Sequence, residues 1–284
     1  MQVQKFLLCF AIATALCPSA HAQQGVNIAT GGALTDFTNW TLFGSASTNN
    51  QTPGNGFTYS DLTLTPVGSG GQAGAGFAPT ALAIDFNQAF HFDFNFYIPV
   101  PIDGVGNGIR GDGLTFVLAK EPGVGGTGSD LGYGGLGSAS VAFAIDTFSF
   151  EDEPVSPSLQ ILQAGSISPL AATETGLGDS IRDPNFQWFA SVDYTPSGSN
   201  DHRGLLTGSI YHLDLGTFSV SATVDFDALG LVGTPVFYGF TAGNGLASDG
   251  HIVTSAVPVP EPQQWALLLA GLAAVSLSVR RRVG

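Results

Sequence analysis

The strongest pattern in the chain is an alternation of period two. Over residues 86–100 (FNQAFHFDFNFYIPV), Phe90, Phe92, Phe94 and Phe96 fall on one face, and His91, Asp93 and Asn95 fall on the other. That spacing predicts a strand whose aromatic face packs on a second layer while its polar face meets water. His91 and Asp93 have the chemistry of a metal pair. Alternation alone accounts for both as residues of a solvated strand face, and this is the reading adopted.

Two further runs are apolar without alternating, residues 114–119 (LTFVLA) and 141–148 (VAFAIDTF). Each carries an aspartate at one end, Asp112 just before the first and Asp146 inside the second. The Asp-Gly step at 112–113 predicts a strand entry whose carboxylate points out of the sheet as an exposed acceptor. Between the runs lies a loop rich in glycine (Gly123, Gly125, Gly126, Gly128, Gly132, Gly134, Gly135, Gly137), which lets backbone N–H groups approach a ligand closely. Short strands are also expected around 38–47 and 57–66, and over residues 159–162, 187–194, 208–215, 217–226 and 236–242. Residues 164–186, with scattered Ser, Pro and Gly, read as loop. No amphipathic helical period interrupts the series, which implies an all-β chain of two packed antiparallel sheets.

Composition agrees and narrows the functional classes. Glycine is abundant, at 39 residues, and 44% of the chain is hydrophobic, too much for disorder and suited to strands joined by tight turns. The formal net charge is −14. Away from the termini the only cationic side chains are Arg110, Lys120, Arg182 and Arg203, so nucleic acid is excluded as a partner. Cys9 and Cys17 are the only cysteines, and both lie in the first 22 residues, which leaves neither a disulfide framework nor a thiolate metal site.

The two ends differ from the middle. Residues 1–22 combine Lys5, an apolar run over 6–16 and Ala20-His21-Ala22, the layout of a helical secretory signal cleaved before Gln23. At the other end Pro258, Pro260 and Pro262 stop any strand, and residues 265–279 form an apolar helix capped by Arg280, Arg281 and Arg282. That helix spans ~22 Å, short for a hydrocarbon core of ~30 Å but sufficient with an interfacial Trp265 and snorkelling arginines. The arginines are expected to stay on the cytoplasmic side. The domain plan is therefore a signal over 1–22, one β-sandwich over 23–256 and a membrane-directed tail over 257–284.

The central stretch, GDGLTFVLA, then a loop ending in LGYGGLG, then VAFAIDTF, resembles the legume-type (L-type) lectin domain. Residues 236–242 (VFYGFTA) followed by GNGLASDGHIVTS resemble that family's closing strands and sugar loop. The resemblance implies a concanavalin A-like jelly roll that binds carbohydrate without catalysis. It implies that Asp112 accepts hydrogen bonds from sugar hydroxyls, that backbone at Gly128 and Ser129 donates, and that Phe148 stacks on the ring. A carboxylate suits paired hydroxyl donors because it offers two acceptor oxygens.

The family also places a calcium and a transition metal beside the site, behind a cis peptide bond that precedes the aspartate. Here the loop departs from the pattern: Ala144 stands in place of a glutamate, Phe150 of an asparagine and Ser158 of a histidine, while Asp146 is kept. No transition metal is expected, and calcium only through Asp146, the Phe148 carbonyl, Asp152 and Glu153. With the metal loop reduced, the Gly111–Asp112 bond is expected to be trans and sugar binding to be weakened. Two rivals follow: a structural matrix protein that has lost the sugar site, and a laminarinase-like glycoside hydrolase. The hydrolase needs two glutamates around Asp146, and Ala144 and Ser149 stand there instead.

The tail, Pro260-Glu261-Pro262 followed by the apolar helix and arginines, resembles the PEP-CTERM sorting signal of bacterial proteins. This implies an exosortase-type processing protease as partner, transient insertion in the inner membrane, release to the cell surface or medium, and an association with exopolysaccharide or biofilm.

Overall fold

A computed structural model describes residues 26–27, 37–51, 59–101, 108–150, 152–183 and 188–254. The expected signal over 1–22 and the expected tail over 257–284 lie outside these. The described chain forms two face-to-face sheets. One runs in the order β13 (Gly216–Asp225), β12 (Arg203–His212), β11 (Trp188–Pro196), β6 (Phe90–Tyr97), β15 (His251–Thr254), β4 (Tyr59–Thr65) and β3 (Ser47–Gln51), with β1 (Val26–Asn27) paired parallel to β6. The other runs β10 (Ala171–Glu174), β9 (Ser158–Gln163), β8 (Ser140–Asp146), β7 (Gly113–Ala119), β14 (Phe237–Asn244), β5 (Gln72–Phe77) and β2 (Thr41–Gly44). Apart from β1 every pairing is antiparallel, as the all-β expectation requires. Among the described residues no helix is long and apolar enough to cross a membrane.

The β6 alternation does what its pattern predicts. Phe90, Phe92, Phe94 and Phe96 are buried in the inter-sheet core, against Phe116 and Phe240 of the facing sheet among others. On the outer face His91 lies between two carboxylates, Nε2 at 2.7 Å from Asp93 and Nδ1 at 2.6 Å from Asp193. Both ring nitrogens are therefore engaged by carboxylates, and neither is left for a metal. Asn95 departs from the pattern: it is buried, opposite Phe189 of β11 and Thr254 of β15.

Strands β7 and β8 read as unbroken apolar runs because both of their faces are covered, and the physical reason is the glycine-rich loop. Leu114, Phe116, Leu118, Val141, Phe143 and Ile145 face the inter-sheet core. Val117, Ala119, Ala142 and Ala144 face the other way into a second small core closed by Leu131 and Tyr133 of the loop. Small alanines on the sheet leave room for the larger loop side chains, so the loop is anchored rather than merely flexible.

Two elements differ from expectation. Residues 164–186 contain the edge strand β10 and a 3-10 helix, Gly178–Arg182. The sequence AATE of β10 is half exposed and carries almost no apolar signal. Strand β5 (QAGAGF) lies where no strand is expected from the sequence, and it needs glycine at position 74, where a Cβ would strike the Leu64 carbonyl of β4.

Candidate functional site

The site lies at the end of the seven-stranded sheet where β7 starts and β8 and β14 finish, since Gly113 pairs with Asp146 on one side and with Gly243 on the other. Backbone bonds draw the flanking residues together. The Asp112 N–H donates to the Gly243 carbonyl at 3.2 Å, and the Thr147 N–H and Oγ1–H both donate to the Asp112 carbonyl, at 2.7 and 3.0 Å. The Gly111–Asp112 peptide bond is cis, which corrects the expectation of a trans bond.

Asp112 is less exposed than the strand-entry argument predicts. It is buried at 5% exposure, and its Oδ2 accepts the Gly245 N–H at 2.6 Å. Gly245, directly after β14, lies over the start of β7, and that placement explains the burial. Burial pushes the Asp112 carboxyl up from its ordinary value, and the Gly245 hydrogen bond opposes the shift. Among the described residues no hydrogen bond reaches Oδ1, and that oxygen is not among the buried unpartnered atoms.

Gly128 is brought to the same place. Its Cα packs against Gly245, so that a Cβ on Gly245 would sit 3.2 Å from it and 3.7 Å from Asp112 Oδ2. The loop is tied by its own bonds, with Gly125, Gly126, Leu131, Gly132, Tyr133 and Gly134 all donating N–H groups to loop carbonyls. Gly128 and Ser129 open a short 3-10 helix (Gly128–Asp130), where leading N–H groups have no partner within the turn. Phe148 is half-buried, and its Cβ lies against Gly111, where any side chain at position 111 would collide. Asp112, Gly128 and Phe148 are therefore brought together through Gly245 and Gly111, with Ser129 next to Gly128 in the chain.

The expected calcium set does not assemble. Asp146 is buried with both oxygens engaged: Oδ1 accepts the Phe148 N–H at 3.0 Å and the Ser156 hydroxyl at 3.3 Å, and Oδ2 accepts the Gln160 amide at 2.8 Å. Glu153 Oε2 accepts the Phe150 N–H at 2.7 Å, and Asp152 is exposed. Among the described residues no group of three or more His, Cys, Asp or Glu side chains is placed to hold a metal ion. The Gln160 amide, which also donates to Ser158 at 3.0 Å, sits against the carboxylate oxygen that a cation would need. These residues do not fit a calcium site. Burial raises the Asp146 carboxyl to about 7.

Sequence reasoning missed four residues of this region. Gly245 lies in the loop recognised as sugar-loop-like but was not singled out. Gln160 is one of several polar residues in a short strand and looks unremarkable there. Arg182 and Asp249 form a buried pair, Nε to Oδ2 at 2.7 Å, and Asp249 Oδ2 also accepts the Gly111 N–H at 2.9 Å. Arg182 Nη2 donates to the Thr147 carbonyl at 2.6 Å. Burial pushes the Asp249 carboxyl up, and Arg182 pulls it back. Beside them His251 is fully buried, with Nδ1 2.7 Å from Thr65 Oγ1. The usable signal was the scarcity of interior cations, which makes each one a candidate for a specific structural task.

Similarity to solved structures is extensive in fold and low in sequence. The metal-free form of lectin I-B4 from Griffonia simplicifolia matches with a TM-score of 0.58 at 20% identity, over 76% of this chain and 90% of that one. A lectin from Bauhinia forficata in complex with GalNAc matches with a TM-score of 0.59 at 20% identity, over 78% and 93%. The exoplasmic/lumenal domain of VIP36, in a Ca2+- and mannose-bound form, matches with a TM-score of 0.50 at 16% identity, over 79% and 85%. The fold is that of the legume-type lectins. No protein-family model and no curated protein sequence matches the chain.

Proposed function

We propose that this chain is a non-catalytic carbohydrate-binding protein whose sugar site is the rim formed by Asp112, Gly128, Ser129 and Phe148. The observation that carries the reading is the convergence around Asp112: Gly245 binds its carboxylate, Gly128 packs on Gly245, Phe148 packs on Gly111, and among the described residues no hydrogen bond reaches the second carboxylate oxygen. In this reading Oδ1 accepts a hydroxyl, N–H groups at Gly128 and Ser129 donate, and the Phe148 ring covers the apolar face of the saccharide. With Oδ2 already held by Gly245, one acceptor remains rather than two, which favours a weaker hold on the sugar than a fully open carboxylate would give.

The bound sugars in the solved lectins support the substrate class, since those proteins share the fold. An exported exopolysaccharide or surface glycan is the proposed partner, on the strength of the signal-like and sorting-tail-like ends. The tail also makes an exosortase-type protease and transient membrane insertion part of the proposal. The low exposure of Asp112 favours one rival, a matrix scaffold that keeps the sandwich and binds no sugar. A glycan array probed with the parent chain and with Asp112→Ala separates the two. Loss of signal in the variant supports the sugar site, and equal signal removes Asp112 from it.

A further inference from the structure

We infer that Arg182 is the cation that holds the candidate site together, so that the site is organised by a guanidinium in place of a metal ion. The inference rests on the sugar-binding reading for its functional meaning, while its geometry stands independently of it. Besides the glycine-rich loop, three stretches far apart in the sequence meet at the rim: the lead-in to β7, the end of β8 and the turn after β14. Arg182 touches the last two and reaches the first through Asp249. Its Nη2 holds the Thr147 carbonyl at 2.6 Å, and its Nε holds Asp249 Oδ2 at 2.7 Å. The same Asp249 oxygen takes the Gly111 N–H at 2.9 Å, so the guanidinium fixes the residue before Asp112 through one carboxylate. A third contact, Nη1 to Asp179 at 3.3 Å, ties the arginine to its own 3-10 helix.

The arrangement suits arginine. A planar guanidinium presents several N–H donors in a rigid fork, so one side chain can satisfy acceptors on separate segments at once. Arg182 is 7% exposed and the Asp249 side chain 0%, so the pair neutralises itself out of water, with Arg110 Nη1 a more distant second cation 3.7 Å from Asp249 Oδ1. Thr147 in turn donates twice to the Asp112 carbonyl, which carries the constraint on to the residue proposed to touch the sugar.

The buried Asp146 carboxylate is met by a neutral donor rather than a cation. Gln160 Nε2 on β9 lies between Asp146 Oδ2 at 2.8 Å and Ser158 Oγ at 3.0 Å. Asp146 Oδ1 in turn accepts the Phe148 N–H at 3.0 Å, which ties this cluster to the rim. Arg182 acts through Asp249 and Thr147 and is a positioning residue, with no contact to the sugar required of it.

Amide hydrogen exchange of the full chain tests this directly, read at Gly111, Thr147 and Gly245 and compared with amides of β11 and β12. In the parent chain, protection at the three amides is expected to be the same in EDTA and in millimolar Ca2+ or Mn2+. Arg182→Met is expected to raise their exchange about 10-fold or more relative to β11 and β12, because the local clamp opens before the sandwich does. Arg182→Lys is expected to fall between parent and Met, since a single ammonium cannot serve all the acceptors of the fork. If the Met variant fails to fold, the Lys variant and the parent comparison still decide the matter. Protection in the parent that disappears in EDTA, or site amides in Arg182→Lys that exchange as in the parent, would overturn the inference. A chain that keeps these amides protected in EDTA yet binds nothing on a glycan array retains the clamp and loses the sugar reading. A chain that binds glycan only after Ca2+ is added does the reverse.

Discussion

Arg182 and His91 each bridge acidic or carbonyl partners, and their surroundings give the two clusters different consequences. His91 sits on the outer face of the eight-stranded sheet, one third exposed, between Asp93 on its own strand and Asp193 on the neighbouring one. Everything it joins is already joined by the β6–β11 ladder. Arg182 is almost fully buried and joins segments that no single ladder connects, at the end of the other sheet. Water screens the first cluster more than the second, so bridging by a cationic side chain is a surface detail in one place and an organising device in the other.

The sharpest way to break that contrast is to remove the buried cation. Arg182→Met leaves Asp249 charged, buried and without its main partner, a change expected to lower stability by about 3–5 kcal/mol. Denaturant midpoints of parent and variant measure it, and a change near zero would erase the distinction between the clusters.

Next in size is the response to acid, carried by His251. Its pKa is pushed down to about 3, by burial first and by the Arg182 charge second. Between an ordinary value of about 6.5 and that depressed one, the unfolded chain takes up a proton that the folded chain refuses. Stability from this group is therefore present above about 6.5 and lost as pH falls toward 3. Urea midpoints should show a shallower acid decline in His251→Gln than in the parent.

Gln160→Ala comes third. It strands Asp146 Oδ2 in a buried setting, and a loss of about 1–3 kcal/mol is expected in the same denaturant experiment. A neutral result would mean that the Asp146 carboxylate does not depend on the amide.

The smallest effect is expected from His91, whose pKa is raised to about 10, chiefly by the hydrogen bond to Asp193 and then by that to Asp93. The sign is opposite to that of His251: its contribution is present below about 6.5 and lost as pH rises through 10. Partial exposure reduces it further. His91→Gln should flatten a shallow alkaline decline, and a steep one would show the outer cluster to matter more than its exposure allows.

The same contrast explains what could be read from the sequence. The Phe90, Phe92, Phe94 and Phe96 face was legible because alternation is local, and the unbroken runs of β7 and β8 were legible as strands. Their second covered face was not, since it depends on Leu131 and Tyr133 folding back from the loop. The rim residues Asp112, Gly128, Ser129 and Phe148 were legible through a family resemblance, which fixes positions and not environments. The burial of Asp112 comes from Gly245, far along the chain, and the occupation of Asp146 comes from Gln160 on the next strand. The Arg182–Asp249 pair could not be found by any local pattern, because one partner lies in a stretch that looks like loop and the other in a glycine-rich turn.

The most direct test of the central claim follows individual amides by NMR while a saccharide that binds on the array is titrated in. The account predicts that shifts gather at Asp112, Gly128, Ser129, Phe148 and Gly245, with the outer face around His91, Asp93 and Asp193 unmoved. Shifts confined to that outer face, with the five rim residues silent, would contradict it.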